Sequence, residues 1–327
     1  MPPFFTRDQI VEVLQAPQAE WLKIEADKVR TQAKGDGVFL RGIIEFSSYC
    51  IRNCLYCGLR AANGQAVRFR LSPEAIKQQA LAIAAAGIGT VVLQSGDDLA
   101  YPAEDIADIV HAIKRQTGIA VVLSLGERED WEYALWRSAG ADRYLIKHET
   151  ANADLYAALH PGKTLKQRRD AQHLLQSLGF ELGTGFIVGL PGQTDAILAD
   201  DVLLVREMGA DMCGLGPFVP QAQTPLANHP SGNVETTLRL IALLRLMCPE
   251  INLPATTALA TLDPENGQCQ ALLAGANVIM PNFTPQEERG KYTIYDNKLS
   301  VDLKSAIDAV KQTGRHVVWD GGLKEDD

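Results

Sequence analysis

Three cysteines fall within eight residues of the stretch FSSYCIRNCLYCGLR, residues 46–60, spaced C-x3-C-x2-C at Cys50, Cys54 and Cys57. Three soft thiolates from one short loop can hold three corners of a 4Fe-4S cube and leave the fourth iron without a protein ligand. An open coordination position is what a catalytic metal needs and a structural metal lacks. Structural zinc competes for these cysteines, but it ordinarily takes four ligands in two paired motifs, and no second close pair exists here. A disulfide with one spare thiol is the weaker alternative in a reducing compartment. Cys213, Cys248 and Cys269 stand far apart in apolar contexts and read as small buried hydrophobes.

Something must position that loop. From residue 37 to 282, short β-type apolar runs alternate with segments of helical period and no linker intervenes, the pattern of a βα array. Strands are expected at GIIEFS (42–47), TVVLQS (90–95), AVVLSL (120–125), DRYLIKHE (142–149), LGTGFIVGL (182–190), MCGLGPFV (212–219), INLPATTA (251–258) and ANVIMPN (276–282). Helices are expected to start after the caps Ser72 and Thr164 and to end at Gly87, Gly118 and Gly179. Eight strands joined by helices suit an α/β fold closed as a (βα)8 TIM-type barrel, and no GxGxxG follows the first strand to favour a doubly wound sheet. An open six-stranded sheet or a partial barrel is the alternative. The expected division is an N-terminal helical extension over 1–36, with helices at 7–15 and 20–33, then the barrel over 37–300, then a C-terminal helix and short tail over 301–327. Barrel function resides where the βα loops converge, and the cysteines follow the first strand directly.

Hydrophobic residues make up 46% of the 327-residue chain and charged residues 22%, ordinary values for a globular protein with ample core. The net charge of -9, with no basic stripe to offset it, argues against nucleic acid or an anionic membrane as partner. The start MPPFFTRDQIVEVLQ lacks the layout of a secretion signal, and no apolar stretch reaches the roughly 18 residues that span a bilayer, so the expected location is the cytoplasm. VGLPGQT, residues 188–194, has two glycines before a helix but lacks the lysine of a phosphate loop, and reads as a tight turn.

With Tyr56 just before the last cysteine, the C-x3-C-x2-C loop after the first strand of a βα array resembles the radical S-adenosylmethionine (SAM) superfamily. Further stretches, TVVLQSGDD, DRYLIKHETAN, GLGPFVPQAQTPLAN, LPATTALAT and GANVIMPNFTP, resemble its FeFe-hydrogenase maturase HydE family, over residues 38–296. The resemblance implies one 4Fe-4S cluster on Cys50, Cys54 and Cys57, with SAM chelating the open iron and being cleaved reductively. It implies that the backbone around Tyr56 meets the adenine and that Arg168 pairs with the SAM carboxylate, for which a planar guanidinium is suited. Gln94 and Ser95 would bond the methionyl part, Glu149 the ammonium or ribose hydroxyls, and Leu215 would pack near the adenine.

Deeper in the barrel, Arg143, His148, Thr256 and Thr257 are expected around a small anionic cysteine-derived substrate, with Tyr292 and Tyr295 at the mouth. Strand alternation counted six residues back from Glu149 also turns Arg143 toward the lumen. Met212 and Met280 are expected in the core. No cysteine follows Cys269, so a second cluster is not expected.

The implied reaction directs the radical at a cysteine-bound Fe(CO)2CN complex during assembly of the hydrogenase H-cluster. Other maturases, and an electron donor such as a ferredoxin or flavodoxin, are the implied partners. The alternative is an enzyme of the biotin synthase or methylornithine synthase type, acting on another small thiol or amino acid. A third reading, a non-catalytic iron-sulfur carrier, has no need of an open iron or a carboxylate-binding arginine.

Overall fold

Strands buried on both faces read as continuous apolar runs, and the Val-Val-Leu stretches of this chain form them. The computed structural model describes residues 5–323, so the outermost ends of the expected extension and tail, 1–4 and 324–327, lie outside the described residues. The strands are β1 (Gly37–Leu40), β2 (Gly42–Ser47), β3 (Thr90–Ser95), β4 (Ala120–Ser124), β5 (Arg143–Leu145), β6 (Glu181–Thr184), β7 (Ile187–Val188), β8 (Met212–Cys213), β9 (Gly216–Pro217), β10 (Val278–Ile279) and β11 (His316–Val318). β2, β3, β4, β5, β6 and β8 pair in that order as one sheet. Parallel bridges Met212↔Asn252, Pro254↔Val278 and Ile43↔Asn282 carry the pairing onward and return it to β2. The array therefore closes as an eight-membered βα barrel, and closure removes the open sheet edges.

Helix starts follow the expected chemistry. Ser72 Oγ accepts from Ala75 N at 3.2 Å, and Thr164 forms a reciprocal capping box with Gln167. Such a cap contributes about 1 kcal/mol. Several expected strands are shorter than the apolar runs suggest: 182–190 and 212–219 each break into two, 276–282 is a strand only over Val278–Ile279, and two more leave the sheet early. The 142–149 run stays in the sheet only over Arg143–Leu145, and 251–258 pairs through isolated bridges before the helix Thr257–Leu262 begins. In both places the chain leaves the ladder near the barrel's upper end, where its side chains line a cavity.

The terminal segments pack on the same barrel. Helices Arg7–Gln15 and Glu20–Lys34 lie against Asp195–Met208 and Val234–Met247. Covered on both sides, the helix VETTLRLIALLRLM is buried almost all round, and Arg239 within it donates to the carbonyls of Val13, Leu14 and Ala16. At the other terminus β11 adds to β1 in parallel. Beyond it the tail crosses the barrel's foot: Gly89 N donates to Trp319 O at 2.6 Å and Thr90 Oγ1 to Gly321 O at 3.2 Å. Among the described residues no helix is long and apolar enough to cross a membrane.

Candidate active site

The cysteine loop is held by its own chain. Ser47 Oγ, at the end of β2, donates to Asp98 Oδ2 at 2.5 Å and accepts from Tyr49 N at 3.2 Å. Arg68 gathers the carbonyls of Ser48, Leu59 and Arg60. Leu55 N donates to Leu159 O and Gly58 N to Ile294 O, each at 2.9 Å. Gly96 completes the fit, because a Cβ there would lie 2.2 Å from Tyr49 O and 2.7 Å from Cys50 Cβ. A glycine is therefore the residue that lets the β3 loop press against the first cysteine.

The three thiols are half-buried and border one cavity. Burial pushes each of them up, Cys54 to about 12, with the neighbouring Cys50 sulfur adding to the effect. Alone they would stay protonated, and a positively charged metal centre is what converts such thiols to thiolates. Among the described residues no three His, Cys, Asp or Glu side chains converge on one ion position. A cluster, which meets each thiolate at a different iron, does not require that convergence, so the donor set fits a polynuclear centre better than mononuclear zinc.

The cavity, about 370 Å³, runs from the thiols into the barrel. Tyr56, Gln94, Ser95, Glu149, Arg168, Thr256, Thr257, Tyr292 and Tyr295 all border it. Glu149 adopts φ 64, a left-handed conformation that costs a non-glycine residue free energy, and is held there by backbone bonds to Gly185 O (3.0 Å) and from Ile187 N (3.1 Å). Its Oε2 is buried without a hydrogen-bond partner, and so is Thr256 Oγ1. Buried polar atoms are ordinarily satisfied, so two orphans on residues bordering one cavity mark places where a polar ligand fits. The fit extends to Gly216, where a Cβ would come within 2.8 Å of Thr256 Oγ1.

Arg168 sits early in the helix Leu165–Ser177. Its Nε donates to Glu127 Oε1 at 2.8 Å and its Nη1 to Lys147 O, while Nη2 makes no hydrogen bond to a described residue. Glu127 also meets Lys163 at 2.7 Å and Arg52 at 3.7 Å. Burial opposes its ionisation, yet Arg168 and Lys163 outweigh burial and hold the carboxyl down at about 2. Tyr56, on the cysteine loop, places its hydroxyl 2.8 Å from His160 Nε2. Burial lowers the His160 pKa, so the ring is neutral; with Nδ1 bonded to Tyr156 O at 2.8 Å, Nε2 is the acceptor of the Tyr56 proton.

Three expected site residues lie elsewhere. Arg143 faces inward, as alternation requires, but at the barrel's foot: Nε meets Glu181 Oε2 at 2.5 Å, and the two Nη donate to Gly321 O and Gly322 O. Its anionic partner is a side chain of the protein, and it does not border the cavity. His148 points out of the barrel, with Nδ1 2.9 Å from Thr184 Oγ1 and Nε2 3.3 Å from Asp201, all fully buried. It is held on the helix side of the sheet by Thr184 and by Asp201 of the helix Asp195–Met208. Leu215 is likewise buried in the core between Gly214 and Gly216, which do border the cavity.

Other bordering residues went unanticipated. Lys147, two positions before Glu149, also borders the cavity and has no acidic partner among the described residues. Glu45 is buried in β2, paired with Lys298 and bonded by Asn282 Nδ2 at 3.0 Å. Met212 and Met280, expected in the core, also border the cavity.

Comparison with known proteins adds a family to this geometry. The profile of the radical SAM superfamily matches residues 44–205. The chain is 46% identical to the FeFe hydrogenase maturase subunit HydE of Thermotoga maritima over 91% of this chain and 86% of that protein. It is 28% identical to 3-methylornithine synthase of Methanosarcina acetivorans over 91% of this chain and 85% of that one. The crystal structure of methylornithine synthase superposes with TM-score 0.85 at 25% identity, covering 96% of this chain and 94% of the other.

Proposed function

The chain belongs to the radical SAM superfamily and within it to the HydE hydrogenase maturases, and from that premise we propose that Cys50, Cys54 and Cys57 hold one 4Fe-4S cluster with SAM on its open iron. When bound, the cluster supplies the electron that breaks the sulfonium C–S bond of SAM and yields a 5'-deoxyadenosyl radical. The protein's part is to bind, orient and keep water out. Arg168 offers Nη2 to the SAM carboxylate while Glu127 and Lys147 O fix the rest of its guanidinium. Glu149 Oε2 takes a proton donor from the ammonium or ribose, and Gln94 and Ser95 line the methionyl side. Tyr56 presents the backbone of the cysteine loop to the adenine.

The substrate in this reading is a small anionic cysteine-derived iron complex, delivered by a partner maturase for H-cluster assembly. The Thr256 and Thr257 hydroxyls hold its carboxylate, and the Lys147 ammonium adds a positive charge in the same cavity. Tyr292 and Tyr295, kept protonated because burial pushes their phenols up, serve as neutral donors. One observation carries this reading: the unpartnered Glu149 Oε2 and Thr256 Oγ1 belong to the cavity that the three thiols border.

Anaerobic reconstitution with iron and sulfide, followed by dithionite and SAM, should yield 5'-deoxyadenosine. No product would remove the radical chemistry. Deletion of the gene should abolish FeFe-hydrogenase activity in the host; an unaffected hydrogenase would favour the methylornithine or biotin synthase type of substrate.

A further inference from the structure

The overall negative charge conceals a local exception. Between Glu45 and Glu74 the chain has four arginines, Arg52, Arg60, Arg68 and Arg70, and no acidic residue, although its net charge is -9. That segment is the cysteine loop and its return. The exposed apolar side chains of the same neighbourhood are Tyr49 (36% exposed), Ile51 (49%), Val67 (63%) and Leu99 (57%).

Hydrogen bonds bring these side chains together. Ser48 N donates to Phe69 O at 3.1 Å, which lays the Val67–Arg70 stretch beside Tyr49. Arg70 stacks its guanidinium 3.6 Å from the Tyr49 ring centroid and bonds Asp98 at 2.7 Å. Ile51 N donates to Asp97 O at 3.1 Å, which brings the Leu99 loop alongside.

The carboxylates that partner these arginines are sunk beneath the surface. Asp98 has a side chain 3% exposed against 39% for Arg70, and Asp97 14% against 25% for Arg52. Arg60 and Arg68 pair with no acid among the described residues. The face is thus apolar at its centre and cationic at its rim, and Cys50 lies between two of its exposed side chains, Tyr49 and Ile51. Isolated exposed apolar residues need no explanation, but a group of four rimmed by one sign of charge has the anatomy of a protein interface. Charge of one sign at a rim speeds encounter with a partner of the other sign.

Resting on the function proposed above, we infer that this face docks a small acidic one-electron carrier protein, which delivers its electron through the Cys50 side of the loop. One electron leaves the reduced carrier, which is oxidised, and reduces the metal centre held by the three thiolates; no proton or other co-reactant is required. The rest of the acidic surface repels such a carrier, so the basic segment also selects the orientation in which it lands.

The test uses holoenzyme and two donors: reduced flavodoxin as the acidic protein carrier, and excess dithionite, which needs no docking. Val67→Glu, Leu99→Glu and Arg60→Glu change the face without touching a residue assigned to the cluster or SAM, and Ile24→Glu, exposed on an N-terminal helix, is the control. The three face variants should form 5'-deoxyadenosine with dithionite at rates within twofold of wild type, and at least tenfold more slowly with flavodoxin. Calorimetry with oxidised flavodoxin should show Kd raised at least tenfold by each face variant, and raised by salt in the wild type, with Ile24→Glu unchanged.

The proposal is overturned if wild type takes no electrons from flavodoxin while dithionite works, or if the face variants bind and turn over with both donors as wild type does. It is overturned equally if both donors slow together. Normal flavodoxin-driven rates with loss of hydrogenase maturation in cells would assign the face to a cargo-bearing partner instead. Failure with dithionite in the wild type would strike the radical SAM reading itself, which the calorimetry does not depend on.

Discussion

The Tyr56 hydroxyl and His160 Nε2 are 2.8 Å apart, and this contact ties the cysteine loop to the segment that leads into the Arg168 helix. His160 stacks on Tyr156 at 4.0 Å, and Tyr156 in turn lies beneath Arg168 at 5.8 Å. The cysteine loop and Arg168 therefore share a buttress. His160→Ala should lower stability by about 1–3 kcal/mol by stranding the buried groups it satisfies. Melting curves give that figure, and a cluster EPR signal that no longer changes fully on adding SAM is the functional counterpart. An unchanged melting point and SAM response would show the contact to be idle.

The same histidine sets a pH dependence. Its folded pKa is lowered by burial, so the unfolded chain binds its proton more readily, and stability falls as pH drops below the ordinary histidine value of about 6.5. His160→Gln should flatten that part of a stability-versus-pH curve; an unaltered slope would assign it to another group.

Glu127 acts lower on the scale. With its carboxyl held at about 2 against an ordinary 4.5, it contributes stability that is present above pH 4.5 and is lost as pH falls from there toward 2. Glu127→Gln should cost roughly 2–3 kcal/mol at neutral pH and weaken SAM binding, because Arg168 and Lys163 lose their shared anion. Denaturant titrations at pH 7 and pH 3 check it: the gap between wild type and variant should narrow at the lower pH.

Arg168→Ala should keep the cluster, judged by its visible absorbance, and weaken SAM binding by about 1.5–3 kcal/mol, the range for a charged hydrogen bond. Arg168→Lys should recover only part of that loss, since an ammonium cannot bond Glu127, Lys147 O and a carboxylate as one planar fork. Equal SAM affinity in the alanine variant would take Arg168 out of the site.

Glu149→Gly should separate stability from function. Glycine relieves the φ 64 conformation, so the variant should gain about 1 kcal/mol in denaturant titration while SAM binding is lost with the carboxylate. A variant both less stable and fully able to bind SAM would contradict the assignment.

Much of the barrel was legible in the sequence because parallel strands advertise themselves. GIIEFS and TVVLQS are strands over the full expected length, and the Ser72 and Thr164 caps mark helix starts as their side-chain chemistry requires. The bordering residues of the cysteine loop and of the two β-ends at Gln94 and Glu149 were equally accessible, since motif spacing and strand ends both point to one mouth. What failed was orientation within a run. His148 and Leu215 each sit one residue from a cavity-bordering neighbour but do not border the cavity themselves, while Arg143 has the right face at the wrong depth. Depth along a barrel depends on which residues cap its foot, and those capping Arg143, Gly321 and Gly322, are nearly 180 positions downstream in a polar tail with no periodic signal. Pairs such as Glu45 with Lys298 are similarly invisible, because two charges 253 residues apart carry no mark of each other.

The tail strapped across the barrel's foot turns a tunnel into a bottle. On the function proposed above, cargo and the sulfonium cofactor would then share the cavity that opens beside the three thiols, and the order in which they enter would fix the order in which their products leave.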